Sequence, residues 1–143
     1  MIVVDVNLLL YAVISGFPQH EVARTWWEDT LNSSTEVGLS GPAIFGFLRI
    51  STNPRVLGTP LSVEDATDYV TEWLDLPNVC LLAPGRRHLE IAFDLLRGAG
   101  TAGNLTTDAQ LAALAIEHEA DMCSNDTDFG RFQGLRRVNP LAP

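Results

Sequence analysis

Short apolar runs alternate with longer amphipathic stretches along the chain. The runs are bounded by polar or turn residues, which is typical of buried strands, and the stretches between them have helical spacing. In residues 20–32, for example, Val22, Trp26 and Leu31 form an apolar stripe. The pattern predicts strands at 2–5, 36–40, 79–82, 121–124 and 136–138, and helices at 7–13, 20–32, 42–51, 62–75, 86–98 and 108–118.

This alternation predicts an α/β fold. Strands separated by helices form a mainly parallel sheet with helices on both faces, here a three-layer α/β/α sandwich with four to five strands. The 143 residues contain neither a repeat nor a long linker. A single domain, residues 1–143, is therefore expected.

Two aspartates follow predicted strands. Asp5 interrupts the apolar residues at the end of strand 2–5, and Asp126 follows strand 121–124. Parallel sheets bind ligands beyond the carboxyl ends of their strands. The two carboxylates are therefore expected to face the same crevice.

A third aspartate lies at a predicted helix start. Thr107 and Gln110 have the spacing of a capping box, which places Asp108 in the first turn of helix 108–118. The helix dipole favours a negative charge there. This helix start is expected to point into the crevice that Asp5 and Asp126 face.

Asp5, Asp108 and Asp126, with Asp128 as an auxiliary, form a candidate metal site. Clustered carboxylates repel one another unless a cation is bound, and Mg²⁺ or Mn²⁺ prefers oxygen ligands. Such a site suits hydrolysis of phosphodiester bonds. Taken singly, Asp5 could instead cap a helix or form an Asx-turn, Asp108 could serve the helix dipole, and Asp126 and Asp128 could be turn residues.

The charge and composition exclude several functions. A net charge of −9 disfavours nucleic-acid binding by the whole surface, so any such binding requires a local site. The chain has nine arginines and no lysine, which excludes receiver domains and aspartyl-phosphate phosphatases. The glycine motifs of P-loop and Rossmann proteins are also missing.

The apolar runs and the cysteines indicate a cytoplasmic protein. No run approaches the ~20 residues of a membrane span, and the N-terminus lacks the features of a signal peptide. Cys80 and Cys123 lie in apolar runs without a zinc-type spacing. Both are expected to be reduced and buried.

Three segments resemble the motifs of the PIN-domain family, in particular its VapC-type toxins. MIVVDVNLLLYA resembles the family's first strand, TTDAQLAALAIEHEA its third-acid helix and SNDTDFGRF its closing acid motif. The resemblance covers essentially the whole chain. It assigns metal binding and catalysis to Asp5, Asp108 and Asp126, and supporting roles to Asn7, Thr107 and Ser124.

The resemblance also implies a function and partners. Members are metal-dependent endoribonucleases that cut structured RNA such as tRNA or an rRNA loop, form homodimers and are neutralised by a VapB-like antitoxin. RNA would need nearby cations and stacking surfaces. The candidates are Arg49, Arg86, Arg87 and Arg131, together with His88, Arg136 and Arg137, although an ordinary solvated surface also accounts for each of them.

The sequence departs from the family at Gly46, where a glutamate is common. No acid occurs anywhere from Val37 to Val63. A site with one acid fewer is expected to bind a second metal weakly. The alternative is a PIN-like domain that has lost activity and binds RNA or an antitoxin.

Overall fold

The apolar runs form one parallel sheet in the computed structural model, which describes all 143 residues. Its strands are β1 Ile2–Val4, β2 Val37–Ser40, β3 Val79–Leu82, β4 Asp121–Cys123 and β5 Arg137–Val138. The sheet order is β3-β2-β1-β4-β5, and every pairing is parallel. β1 is therefore central, with Ile2 paired to both Val37 and Asp121.

Six helices flank the sheet and confirm the predicted three-layer α/β/α sandwich. They are α1 Val6–Val13, α2 His20–Leu31, α3 Gly41–Ser51, α4 Val63–Leu74, α5 His88–Ala99 and α6 Thr106–Glu117. α1 packs on α2 and α3, α3 packs on α4, and α5 packs on α6. None of the six is both long enough and apolar enough to cross a bilayer.

The core is continuous and consists of aliphatic and aromatic side chains. Val3 and Val4 of the central strand are fully buried, as is Leu111 of α6. Parallel strands covered on both faces have such uninterrupted apolar character. The core therefore fixes the direction of β1 and with it the position of the residue that follows.

The buried face of α2 differs from the predicted stripe. Val22 is 56% exposed, whereas Ala23 and Trp27 are buried. Trp27 makes an edge-to-face contact with Trp73 of α4, with 5.5 Å between the ring centroids. Packing of this aromatic pair turns α2 by about one residue from the expectation.

The prediction that Cys80 is buried is wrong, and the prediction that Cys123 is buried is correct. Cys80 is exposed because β3 is an edge strand whose middle residues reach solvent. Cys123 is buried in β4. Burial, with a smaller contribution from Asp121, raises the pKa of the Cys123 thiol to about 12, so the thiol stays protonated at neutral pH.

Candidate active site

Asp5 lies between β1 and α1 and serves both elements. Its backbone is extended, and its Oδ1 accepts a hydrogen bond from Val6 N at 2.7 Å, which caps α1. Its Oδ2 accepts a 2.6 Å hydrogen bond from the Ser124 hydroxyl. Asp5 therefore caps α1, as one of the alternative interpretations predicted. Its carboxylate nevertheless lies at the carboxyl edge of the sheet.

Ser124 connects the two ends of the chain. Besides donating to Asp5, its Oγ accepts from the backbone N of Asp126 at 2.9 Å and from Asn7 Nδ2 at 3.4 Å. Asn7 therefore acts on Asp5 through Ser124 rather than directly. The Asn7 Oδ1 atom is buried and has no hydrogen-bond partner, which leaves an acceptor free beside the carboxylates.

Asp108 lies in the first turn of α6, as predicted, but the capping box is absent. The helix begins at Thr106, and the Thr106 hydroxyl donates to Gly103 O at 2.9 Å. Thr107 is exposed, and the cap residue, Leu105, has no side-chain hydrogen bond to the helix. The preceding 3₁₀ turn, Gly103–Leu105, continues into α6 and replaces the expected cap.

Asp126 and Asp128 begin the 3₁₀ helix Thr127–Arg131. Asp126 caps this helix by accepting from Asp128 N at 2.9 Å. One carboxylate oxygen from each of Asp108, Asp126 and Asp128 lies within 4.8 Å of the other two. Asp5 lies outside this set of three and is connected to Asp126 by the hydrogen bonds of Ser124.

The charges of these carboxylates are not compensated by the protein. None of the four ion pairs of the chain includes Asp5, Asp108, Asp126 or Asp128. Burial, followed by repulsion from Asp5, Asp126 and Asp128, raises the pKa of Asp108 to about 7. Burial also raises the pKa of Asp5, against the opposing effect of its two hydrogen bonds.

The donor set fits a hard divalent cation. Three close carboxylates offer oxygen ligands to such an ion, and the unpartnered Asn7 Oδ1 offers an acceptor for a water molecule. A bound cation would also relieve the repulsion that raises the pKa of Asp108. The arrangement can therefore hold a metal ion and a phosphate oxygen at one edge of the sheet.

Gly46 occupies buried space that a larger side chain cannot enter freely. A Cβ atom at this position would lie 2.8 Å from Cγ2 of Val6, the residue after Asp5. α3 and α1 therefore approach one another at this point because position 46 lacks a side chain. The site of the missing family acid is packed with apolar atoms.

The predicted RNA-binding cations lie in different environments. Arg49, Arg86 and Arg131 are exposed, and Arg131 donates to Ala99 O at 3.4 Å. Arg87 is paired with Glu90 at 3.3 Å. The inclusion of His88 among the candidates is wrong, because His88 is 8% exposed within the packed start of α5.

Glu117, at the end of α6, has a structural role that no pattern in the sequence had assigned to it. Its carboxylate accepts from Gly85 N at 2.7 Å and from Arg87 N at 3.1 Å. These hydrogen bonds hold residues 85–87 as a loop, so α5 begins at His88 rather than at residue 86. The sequence signal for this contact is the glycine at position 85, because a Cβ atom there would clash with the Glu117 carboxylate.

Comparisons with known proteins agree with this geometry. The sequence profile described as "PIN domain" matches residues 2–135. Ribonuclease VapC33 of Mycobacterium tuberculosis is 59% identical over 141 residues, which cover 99% of each chain. At this identity and coverage the two chains share one fold and one family.

Two solved structures resemble the fold at low sequence identity. VapBC2 from Rickettsia felis, bound to a promoter DNA fragment, matches with a TM-score of 0.71 and 15% identity over 97% of this chain and 98% of that one. VapC20 of M. tuberculosis, a sarcin–ricin loop cleaving toxin, matches with a TM-score of 0.70 and 16% identity, covering 95% and 99% of the two chains. By its sequence and its fold, the chain belongs to the PIN-domain family and, within it, to the VapC ribonucleases.

Proposed function

We propose that this protein is a metal-dependent endoribonuclease toxin that cuts structured RNA, tRNA or an rRNA loop, and so inhibits translation. The main support is the group of Asp108, Asp126 and Asp128, whose carboxylates lie within 4.8 Å of one another without a cationic partner. Asp5 and Ser124 complete the site. The proposed cofactor is Mg²⁺, with Mn²⁺ as a substitute.

The chain's own residues position the reaction. Asp108, Asp126 and Asp5 would hold the ion, with Asp128 as an auxiliary ligand, and Ser124 fixes the orientation of Asp5 through its 2.6 Å hydrogen bond. A divalent ion bound there would supply a nucleophilic water and stabilise charge on the phosphate. Asn7 holds Ser124 in turn, and its free Oδ1 can accept a hydrogen bond from that water.

The packing at Gly46 supports a single strongly bound ion. The carboxylates gather on the Asp108 and Asp126 side of Asp5, whereas Val6 and Gly46 close the other side. Fewer carboxylates lower the affinity for a second divalent ion. We therefore propose that a single divalent ion takes part in the reaction.

The proposed partners follow from the relatives. The neighbouring structure of VapBC2 contains toxin and antitoxin, and VapC20 is named for cleavage of the sarcin–ricin loop. For this chain we propose a VapB-like antitoxin, a structured RNA substrate, a homodimeric assembly and a cytoplasmic location. Arg49, Arg86, Arg87 and Arg131 are the proposed RNA contacts outside the acid cluster.

A cleavage assay with the antitoxin-free protein tests the nuclease. We expect cuts in bulk tRNA or rRNA with Mg²⁺ or Mn²⁺, none with EDTA, and a loss of about a hundredfold or more in rate for Asp126→Asn. Asp68→Asn is the matched control, because Asp68 is exposed on α4 and belongs to no ion pair. Mapping of 5′ ends after brief expression beside Asp5→Ala would identify the RNA.

The second candidate is a PIN domain that binds RNA or an antitoxin without cutting. The observation that favours it is Gly46, where the family commonly supplies an acid. The same assay separates the two. Binding of RNA without cleavage at any tested metal concentration, and a growth effect unchanged by Asp5→Ala, would establish the binding module.

A further inference from the structure

A polar cavity adjoins the acid cluster on the side of β5. It has a volume of about 240 Å³, and its lining comprises residues 124–127, Phe129 and residues 137–139. Asp126 belongs to both the cavity and the cluster. A group bound in this cavity would therefore lie next to the reacting phosphate of the proposed site.

Arg137 contributes the one cationic side chain of this lining. Its guanidinium lies against Gly130, where a Cβ atom would be 3.0 Å from Cζ. The four ion pairs of the chain use Arg24, Arg87, Arg97 and Arg136, so Arg137 has no acidic partner. Its charge is therefore available to a ligand.

Hydrogen bonds fix the walls of the cavity. Asn139 Nδ2 donates to Asn125 Oδ1 at 3.2 Å, and Asn139 Oδ1 accepts from Leu141 N at 3.0 Å. Ser124 N donates to Val138 O at 3.1 Å, which ties β5 to the segment that carries Asp126. The position of Arg137 relative to the acids is thus set by the sheet.

We propose that Arg137, together with the Thr127 hydroxyl, forms a subsite for an RNA phosphate next to the one that is cut. A guanidinium binds phosphate through charge-assisted hydrogen bonds, and Thr127 lines the same cavity. A chain with net charge −9 repels RNA elsewhere, so a free arginine beside the acids has a large local effect. The subsite rests on the proposed ribonuclease function, and Arg137 acts in it as a positioning residue.

The test measures binding separately from cleavage. Fluorescence anisotropy of a fluorescein-labelled RNA stem-loop in EDTA gives the Kd across a range of salt concentrations. We expect Arg137→Gln to raise the Kd about five- to tenfold and to reduce the slope of log Kd against log salt by about one. Arg137→Lys should keep the slope, because it keeps the charge.

Arg55→Gln is the matched control. Arg55 is also exposed and belongs to no ion pair, but it follows α3 and lies outside both the cavity and the acid cluster. Equal effects of the two substitutions, or no measurable binding by the unsubstituted protein, would overturn the subsite. Thermal melting should be the same for all variants.

Cleavage kinetics separate this proposal from the ribonuclease itself. With Mg²⁺, Arg137→Gln should raise KM more than it lowers kcat, whereas Asp126→Asn should lower kcat about a hundredfold or more. Normal cleavage with an unchanged KM in Arg137→Gln would contradict the subsite but not the ribonuclease function. Binding that depends on Arg137 without any cleavage would leave Arg137 as an RNA contact and contradict the ribonuclease function.

Discussion

The two sides of Asp5 differ in chemistry although the same short strand supports both. Toward α3, Val6 and Gly46 pack so closely that a Cβ atom on residue 46 would lie 2.8 Å from Val6. Toward β4, Ser124 donates to Asp5 and accepts from Asp126. One side is therefore apolar and closed, and the other is polar, with uncompensated negative charge.

This difference shows how the fold limits the number of acids. Asp108, Asp126 and Asp128 repel one another, and burial adds to the cost of their charges. A further acid on the α3 side, in addition to Asp5, would increase that cost. The close contact of α1 and α3 replaces it with van der Waals packing.

The largest expected effect is that of metal on the polar side. Mg²⁺ or Mn²⁺ at a hundred times its Kd should raise the free energy of unfolding by about 2.7 kcal/mol, seen as a higher melting temperature. Asp108→Asn should reduce this rise, and the control Asp68→Asn should not. A melting temperature that is the same with and without the metal would contradict a preformed site.

Loss of the Ser124 hydroxyl should weaken the link between Asp5 and Asp126. We expect Ser124→Ala to lower kcat/KM for RNA cleavage about tenfold, equivalent to about 1.4 kcal/mol, because Asp5 loses the group that orients it. Single-turnover rates in Mg²⁺ check this. Ser33→Ala is the control. Ser33 lies in an exposed turn that is distant in sequence from the acids, so its substitution should leave the rate unchanged.

Filling the apolar side should cost stability. Gly46→Ala is expected to destabilise the protein by about 1 kcal/mol, since the clash with Val6 exceeds the gain in helix propensity. Urea unfolding of Gly46→Ala, Val6→Ala and the double variant measures the coupling. Strictly additive effects would show that residues 46 and 6 do not compete for the same space.

The pH dependence of stability should reveal Asp108. Its pKa of about 7 lies above the value of 3.8 for an ordinary aspartate, so the folded state binds the extra proton between these two values. Its contribution to the free energy of unfolding therefore falls as the pH rises from about 4 to about 7. Because the side chain is partly exposed, screening by solvent limits the effect to about 1 kcal/mol.

Urea unfolding in EDTA isolates this contribution. Asp108→Asn should stabilise the metal-free protein at pH 8 and do so less at pH 4.5, because the asparagine never acquires the charge. Asp68→Asn should show no such trend. A stability gain for Asp108→Asn that is equal at both pH values would contradict the raised pKa.

The sequence predicted the strands well because their apolar runs are buried on both faces. It placed Asp5 and Asp126 at one edge because the carboxyl ends of parallel strands coincide, and it placed Asp108 beside them at the start of a helix. The roles of these acids stay predictions. Ser124 was predictable as a neighbour of Asp126, but its hydrogen bond to Asp5 spans 119 positions and has no local signal.

The errors arose where tertiary packing decides. Thr107 has the spacing of a capping box, yet the 3₁₀ turn before α6 starts the helix earlier. Val22 fits an apolar stripe, but the contact of Trp27 with Trp73 selects a different face. Cys80 lies in an apolar run whose position at the sheet edge is a property of the topology.

The central position of β1 has a consequence for synthesis. β1 is synthesised more than 110 residues before β4, one of its two neighbours in the sheet, and Ser124 and Asp126 follow β4. On a ribosome that has not yet released residues 121–126, Asp5 lacks its hydroxyl donor and the acid cluster lacks two of its members. The nascent chain is thus unable to assemble the site until residues 121–128 have left the ribosome.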